Sequence, residues 1–230
     1  MNALERTTLS GIRAAIIDLD GTMVHTAPDF HVAINRMREE LGLGPLNIEA
    51  ITEFVGKGTE NLMRRVLAVD YSETEAERHF PLALETYKRH YLEVNGCYST
   101  VYPGVHEGIE ALLAKGLRLA CVTNKPIDFA LPLLEKTGLS GYFEVVYGGD
   151  SLPKKKPDPY PLLQVCEDFG LAPAQVVAIG DSSNDAQAAR AAGCMVLNVP
   201  YGYNHGQPIQ AVDSDGIVLT LLDAAHLISQ

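Results

Sequence analysis

The chain has 230 residues, of which 47% are hydrophobic and 20% charged, so it can bury a sizeable core in one large domain or two small ones. Its formal net charge of −11 disfavours nucleic acid or an anionic membrane as a partner, and an anionic substrate would need local positive charge. Because we find no signal-peptide core and no apolar run of membrane-spanning length, we expect a cytoplasmic protein.

The first predicted element is a buried strand over residues 14–17, which the acidic motif Asp18-Leu19-Asp20-Gly21-Thr22 follows directly. Alternation along the strand would turn Asp18 and Asp20 toward the same side. One such carboxylate can attack phosphorus, while the other donates a proton to the leaving oxygen and later takes one from water. Some calcium loops also open with Asp-x-Asp-Gly, but the further acidic pair and downstream Glu that they need are missing here.

A helical region follows, from about residue 26 to about residue 95, without a convincing strand. Thr26 and Asp29 form a predicted capping box, and Asn47 and Thr59 are candidate N-caps for the next two helices. Pro81 predicts a kink or a break in the fourth helix. We therefore predict a small helical cap over residues 25–98, inserted between core segments 1–24 and 99–230.

The rest of the chain alternates predicted strands and helices, with strands ending near Val122, Tyr147, Ile179 and Val199. This alternation predicts an α/β fold, in which helices cover both faces of a parallel sheet. In such a sheet the carboxyl ends of the strands share one edge, where ligands bind. Polar residues that follow these strands should therefore converge with the acidic motif.

Two of the converging segments offer hydrogen-bond donors and positive charge. The Thr123 hydroxyl and the backbone amide of Asn124 can each donate to a phosphoryl oxygen. Among three consecutive lysines we single out Lys156, because Pro157 and Pro159 restrict the backbone after it. A fixed ammonium there would neutralise both the nucleophilic carboxylate and the transferring phosphoryl group.

The last segment, Gly180 to Asp185, places two more carboxylates at the same edge. Helix capping alone does not need both Asp181 and Asp185, and a site that already holds Asp18 and Asp20 needs a cation to offset their repulsion. Mg²⁺ fits, because it prefers oxygen ligands and keeps room for waters and a phosphate oxygen. We assign the side chains of Asp18 and Asp181 and the Asp20 carbonyl as metal ligands, with Asp185 supporting them from outside the ligand set.

These four motifs, in this order, resemble those of the haloacid dehalogenase superfamily, and the resemblance covers essentially the whole chain. It implies a Rossmann-like core of five or six strands and a C1-type helical cap. Relatives usually carry aspartate where this chain has His25. Within the superfamily the chain is most similar to bacterial phosphoglycolate phosphatases, through the segments Thr26 to Asp29, Phe54 to Gly58, Thr123 to Pro126, Lys156 to Pro159 and Tyr201 to Asn204.

The resemblance implies Mg²⁺-dependent hydrolysis of 2-phosphoglycolate to glycolate and phosphate through an aspartyl-phosphate, with Asp18 as nucleophile and Asp20 as acid and base. Another phosphatase or pyrophosphatase, a β-phosphoglucomutase-like sugar-phosphate mutase and a non-catalytic binding module stay open. Asp20 argues against a dehalogenase, which has no leaving alkoxide to protonate. We expect a small phosphorylated metabolite as partner, and a monomer or a homodimer.

Substrate selection is assigned to one cap loop, Gly56-Lys57-Gly58. Its glycines allow a tight approach, and the Lys57 ammonium could pair with a carboxylate on a small substrate. A solvated lysine in a turn between helices is the alternative. We therefore predict two sets of site residues. The catalytic residues are Asp18, Asp20, Thr123 and Lys156. The substrate-binding residues are Asn124, Lys57 and Gly21.

Overall fold

The computed structural model describes residues 8–229, so the outermost ends of the predicted core segments, residues 1–7 and 230, lie outside the description. Six parallel strands form the central sheet, in the order β6-β5-β2-β7-β8-β9. Two short pairs lie outside it, β1 with β10 and β3 with β4. The strands are β1 (Leu9–Ser10), β2 (Ala14–Ile17), β3 (Val24–His25), β4 (Thr100–Val101), β5 (Arg118–Val122), β6 (Val145–Tyr147), β7 (Val176–Gly180), β8 (Met195–Asn198), β9 (Gly216–Ile217) and β10 (Ile228–Ser229).

Helices alternate with these strands in the core, as the sequence predicts, and four of them form the insertion after β3. The helices are α1 (Ala27–Glu40), α2 (Ile48–Phe54), α3 (Thr59–Leu67), α4 (Glu73–Val94), α5 (Val105–Ala114), α6 (Ile127–Lys136), α7 (Tyr160–Phe169), α8 (Ser183–Ala192) and α9 (Leu221–Leu227). Among residues 8–229, no helix has the length and apolar character that crossing a bilayer requires.

Side-chain alternation along the central strands builds two cores, one on each face of the sheet. In β2, Ala15 and Ile17 pack on the face covered by α5, α6 and α9, while Ala14 and Ile16 pack on the face covered by α7 and α8. All four side chains are buried, because a central parallel strand has helices on both sides. This confirms the predicted α/β fold.

The cap, helices α1 to α4, packs around a third core that includes Met37, Met63 and Tyr87, and Phe129 of α6 and Tyr203 join this core from outside the cap. Asn47 caps α2 as predicted, since its side chain accepts from the Ala50 amide at 2.9 Å. The prediction for Thr59 was wrong, because α3 begins at Thr59 and Gly58 is its N-cap. Pro81 causes no break, because α4 runs without interruption from Glu73 to Val94, and the kink that was the other predicted outcome stays a prediction.

The predicted capping box at the start of α1 is wrong, and the reason is a long-range contact. Thr26 makes no side-chain capping bond. The carboxylate of Asp29 instead accepts from the amides of Gly96 and Tyr98, both at 2.7 Å, and from the Ser99 hydroxyl. Asp29 thus ties the start of the cap to the chain that leaves it.

The two connections between core and cap pair with each other as the antiparallel strands β3 and β4. Val24 lies opposite Val101, and His25 lies opposite Thr100. We keep the division into a cap of residues 25–98 and a two-segment core as a proposal, which this pairing supports. The strands β1, β9 and β10 and the helix α9, which the sequence reasoning missed, complete the core at its edges.

Candidate active site

Three central strands deliver the predicted site residues to one edge of the sheet. Asp18 follows β2, Thr123 follows β5 and Asp181 follows β7. Their register is level, since Ile17 lies beside Cys121 on one side and Ile179 on the other. The sequence prediction that these side chains converge therefore agrees with the strand register.

Lys156 lies buried at the centre of this edge, 5% exposed. Its Nζ atom is 2.9 Å from Asp18 Oδ1 and 2.6 Å from Asp185 Oδ1, and it donates to the Val122 carbonyl at 2.6 Å. Burial lowers the pKa of Lys156, but the charges of Asp18 and Asp185 raise it more, so the pKa stays above its usual value. The ammonium is therefore a permanent positive charge beside the proposed nucleophile.

Three carboxylates, those of Asp18, Asp181 and Asp185, have oxygens within 4.8 Å of one another. Burial raises the pKa of Asp18 to about 7 against the opposing charge of Lys156, and burial, with the charges of Asp185 and Asp18, raises the pKa of Asp181 well above its usual range. One ammonium does not balance three carboxylates. A hard divalent cation would supply the missing charge, so this set of oxygens fits one.

The two acidic residues after β7 are held by different partners. Asp181 Oδ1 accepts from the Thr22 hydroxyl at 2.8 Å, and its Oδ2 accepts from the Tyr203 amide. Asp185 Oδ2 accepts from the amide and the hydroxyl of Ser182, at 3.1 and 2.7 Å, while its Oδ1 faces Lys156. Both carboxylates thus have protein partners on both oxygens, and the division into a ligand, Asp181, and a supporting residue, Asp185, stays a prediction.

Gly21 is needed where Asp181 approaches the acidic motif. Its φ of +86° lies in the left-handed region, and a Cβ atom there would lie 2.2 Å from Asp181 Oδ2. A larger residue would therefore displace the carboxylate. The assignment of Gly21 to substrate binding stays a prediction, since its close neighbour in this structure is Asp181.

Asp20 pairs with a lysine that the sequence analysis did not select. Lys125 Nζ is 2.9 Å from Asp20 Oδ1 and donates to the Tyr91 hydroxyl of α4 at 2.6 Å. It also lies 4.6 Å from the ring centroid of Phe30 and 4.7 Å from that of Tyr91. A signal was present, because Lys125 directly follows the Thr123-Asn124 pair that we had placed at the site.

Asn124 and Asn184 join the core to the cap loop at Gly56. The Asn124 side-chain amide donates to the carbonyls of Gly56 and Lys156, at 3.0 and 2.8 Å, and the Asn184 amide donates to Gly56 at 3.1 Å. Lys57, next in the loop, is exposed and lines an open cleft together with the exposed Lys154 and Lys155. Its contact with substrate stays a prediction.

A small cavity lies between the cap and the sheet edge, and Asp18 and Asp20 both line it. Its volume of about 40 Å³ is that of roughly three water molecules, at about 10–15 Å³ each. Most of its cap side is apolar. The core contributes Asp18, Asp20, Thr123, Asn124 and Lys125, and the cap contributes Phe30, Val55, Leu62 and Tyr87.

His25 lies in the first linker against two tyrosines. Its Nδ1 atom is 2.8 Å from the Tyr203 hydroxyl and 3.2 Å from the Tyr102 hydroxyl. The Tyr203 hydroxyl accepts from the Ala27 amide at 3.0 Å, so its own proton can be donated to a neutral His25 ring. Because the Tyr203 amide donates to Asp181, the histidine connects the linker to the acidic cluster.

We expect His25→Gln to weaken the acid sensitivity of folding. Burial lowers the pKa of His25 below its ordinary value of 6.5, so the folded protein binds a proton there less readily than the unfolded chain. Stability therefore falls as pH decreases below that value, and glutamine removes this contribution. The measurement is the free energy of unfolding by urea at about pH 7.5 and about pH 5.5, where His titrates.

A second histidine provides the comparison for that experiment. Burial, together with the charges of Lys57 and Arg65, lowers the pKa of His205 as well. His205→Gln should remove a further part of the pH dependence of the free energy of unfolding. The double variant should have the smallest difference in this free energy between the two pH values. If the free energy of unfolding changes by the same amount between the two pH values in wild type and in His25→Gln, the prediction is wrong.

Comparison with known proteins identifies the family of the chain. A sequence family described as haloacid dehalogenase-like hydrolase matches residues 15–199. The chain is 47% identical to a phosphoglycolate phosphatase of Thiobacillus denitrificans, over 95% of this chain and 96% of that protein. It is 49% identical to a phosphoglycolate phosphatase of Nitrosospira multiformis, over the same fractions.

A solved structure is similar to this chain over nearly its whole length. A protein from Haemophilus somnus 129PT, described as a predicted phosphoglycolate phosphatase, superposes with a TM-score of 0.90 and 34% identity. The match covers 94% of this chain and 98% of that one. It therefore includes both the sheet and the helices inserted after β3, and the chain belongs to the haloacid dehalogenase-like hydrolases.

Proposed function

We propose that this chain is a Mg²⁺-dependent phosphatase that hydrolyses 2-phosphoglycolate through an aspartyl-phosphate on Asp18. The observation that carries the proposal is the small, cap-covered cavity that Asp18 and Asp20 share. Its volume of about 40 Å³ suits a two-carbon leaving group better than a hexose. The relatives named above as phosphoglycolate phosphatases support the same substrate.

In the proposed reaction an Asp18 oxygen attacks phosphorus while the bond to the leaving oxygen breaks, and protonated Asp20 gives that oxygen its proton. Glycolate leaves with its hydroxyl restored. A water then attacks the aspartyl-phosphate and gives its proton to Asp20, which releases inorganic phosphate and regenerates Asp18. Lys156, 2.9 Å from Asp18 Oδ1, offsets negative charge throughout.

The Thr123 hydroxyl and the Asn124 backbone amide are the proposed donors to the phosphoryl oxygens. We propose that the Asp18 and Asp181 side chains and the Asp20 carbonyl hold Mg²⁺. When bound, Mg²⁺ would supply positive charge that offsets both the carboxylates and the phosphoryl oxygens. The cap, docked by the Asn124 and Asn184 bonds to Gly56, excludes bulk water from the leaving group.

The test of this function is a set of initial rates on small phosphate esters, with Mg²⁺ and after removal of metal by EDTA. 2-Phosphoglycolate should give the highest kcat/KM, above hexose phosphates and pyrophosphate, and EDTA should abolish activity until Mg²⁺ is restored. A preference for pyrophosphate, or conversion of one sugar phosphate into another without release of phosphate, would assign a different function within the family. Full activity without metal would refute the Mg²⁺ proposal.

Asp181→Asn should raise the Mg²⁺ concentration needed for half-maximal activity by at least about tenfold, because it removes a charged ligand oxygen. Asparagine keeps one oxygen for the two donors, the Thr22 hydroxyl and the Tyr203 amide, and the thermal midpoint of the variant checks that the protein stays folded. The measurement is a Mg²⁺ titration of initial rate at saturating substrate. An unchanged titration midpoint would remove Asp181 from the ligand set.

A further inference from the structure

The site contains two buried lysines that serve different carboxylates. Lys156 directs its Nζ atom to Asp18, Asp185 and the Val122 carbonyl, which account for its three N–H donors. Lys125 directs its Nζ atom to Asp20 and the Tyr91 hydroxyl, which account for two of its three donors. Among the described residues, two of the three N–H donors of Lys125 therefore have hydrogen-bond acceptors, and the residue lines the cavity beside Asp18 and Asp20.

The surroundings of Lys125 favour a negatively charged ligand. Its side chain is 2% exposed, and it is the one basic residue among the described residues that line the cavity. Beyond it the cap wall is formed by apolar groups, among them Val55 and Leu62. A buried ammonium is costly without a paired anion. A carboxylate that enters this cavity finds Lys125 as its cationic partner.

The position of Lys125 relative to Asp20 strengthens this argument. Its Nζ atom is 2.9 Å from Asp20 Oδ1, and both residues line the cavity that Asp18 also lines. Asp20 is the residue proposed to protonate the leaving oxygen, so the ammonium lies next to the place that this oxygen would occupy. A carboxylate one carbon away from the leaving oxygen would therefore lie close to Lys125.

We propose that Lys125 binds the carboxylate of the leaving group and thereby selects phosphate esters of small hydroxy acids. This assignment rests on the proposed phosphatase function. Lys125 is held at its backbone and at the end of its side chain. Its amide donates to Thr123 Oγ1 at 3.2 Å, and its Nζ atom donates to the Tyr91 hydroxyl of the cap. It differs from the prediction for Lys57, whose side chain is exposed in the open cleft.

The experiment compares kcat/KM for 2-phosphoglycolate and for its neutral isostere, 2-phosphoglycolamide. The wild-type enzyme should prefer the carboxylate, and Lys125→Met, which keeps the length and loses the charge, should reduce that preference by about 10- to 100-fold, the worth of one hydrogen bond between charged groups. Lys125→Arg should retain most of the preference. Lys154→Met, an exposed lysine of the same cleft as Lys57, is the matched control and should leave it unchanged.

Several outcomes would overturn the assignment. Equal losses on both substrates in Lys125→Met would show that Lys125 only orients Asp20. Loss of the preference in Lys57→Met, with Lys125→Met retaining it, would move the specificity to the cap loop. Failure of the wild-type enzyme to hydrolyse 2-phosphoglycolate, with good rates on other esters, would instead refute the proposed function.

A binding measurement keeps the test valid if Lys125→Met turns over too slowly to assay. In an Asp18→Asn background with Mg²⁺, calorimetry should show tighter binding of 2-phosphoglycolate than of the amide. Adding Lys125→Met should remove most of that difference, while the thermal midpoint confirms that the protein is folded. Retention of the full difference in affinity would overturn the proposal.

Discussion

Asp18→Asn should lower kcat by about 10⁶-fold, the order expected when the nucleophile of a covalent mechanism is removed. Asparagine has nearly the same shape as aspartate, so the cavity and the cap contacts should persist. The measurement is phosphate release from 2-phosphoglycolate at saturating Mg²⁺. Asp128→Asn, at an exposed position in the first turn of α6, is the matched control and should keep wild-type activity.

The same variant should not lose stability, and this separates chemistry from folding. Removing one partner of a buried ion pair usually destabilises a protein because the other charge is left unpaired. Here Lys156 keeps Asp185 at 2.6 Å and the Val122 carbonyl at 2.6 Å. Repulsion among the three carboxylates also decreases. The free energy of unfolding without Mg²⁺ should therefore stay the same or rise.

Direct trapping of the intermediate completes that test. Wild-type protein mixed with Mg²⁺ and beryllium fluoride should carry the fluoride adduct, a phosphoryl mimic, on Asp18, and the Asp18→Asn variant should carry none. Fluorine NMR detects the adduct. Wild-type turnover in Asp18→Asn, or an adduct that survives the substitution, would contradict the mechanism.

The strand ends were predictable from sequence because their placement depends on local signals and one general rule. Apolar runs identify β2, β5 and β7, and parallel strands must present their carboxyl ends at one edge. Asp18, Thr123 and Asp181 therefore converge whatever the details of packing. The helical insertion was predicted from helix signals in the same way. The resemblance between motifs then assigned these elements to a function, which periodicity alone could not have done.

Two of the failures, the capping box at Thr26 and the omission of Lys125, share a different physical cause, because partners far along the chain replaced local ones. Thr26 and Asp29 have the spacing of a capping box, yet Asp29 binds the amides of Gly96 and Tyr98 far along the chain. Lys125 gains its position from Asp20 and Tyr91, which belong to other segments. Sequence spacing carries no information about such contacts.

The choice between Lys57 and Lys125 shows that sequence patterns do not predict the direction of a side chain. The glycines beside Lys57 correctly indicate a loop that approaches the core, since the Gly56 carbonyl accepts from Asn124 and Asn184. The pattern does not say which way the lysine between them points. In the structure the glycines line the cavity, and the lysine side chain is exposed in the open cleft.

Asp20→Asn should lower kcat for 2-phosphoglycolate by about 10²- to 10⁴-fold, the usual worth of general acid–base catalysis. The loss should depend on the leaving group. Glycolate leaves as an alkoxide that needs a proton, whereas acetyl phosphate releases acetate, which needs none. With acetyl phosphate, Asp20→Asn should still phosphorylate Asp18 at a substantial rate, but hydrolysis of the intermediate, which needs Asp20 as base, should be slow.

The distinguishing observation is therefore a covalent intermediate that accumulates. After mixing Asp20→Asn with radiolabelled acetyl phosphate and quenching in acid, we expect close to one phosphate per protein, and with labelled 2-phosphoglycolate much less. The Asp18→Asn, Asp20→Asn double variant should hold no label with either substrate. If the rates with both substrates fall by the same factor and no label accumulates, Asp20 acts by holding Lys125 and the cap in place. Only loss of a proton-transferring group would lower the rate with 2-phosphoglycolate more than the rate with acetyl phosphate.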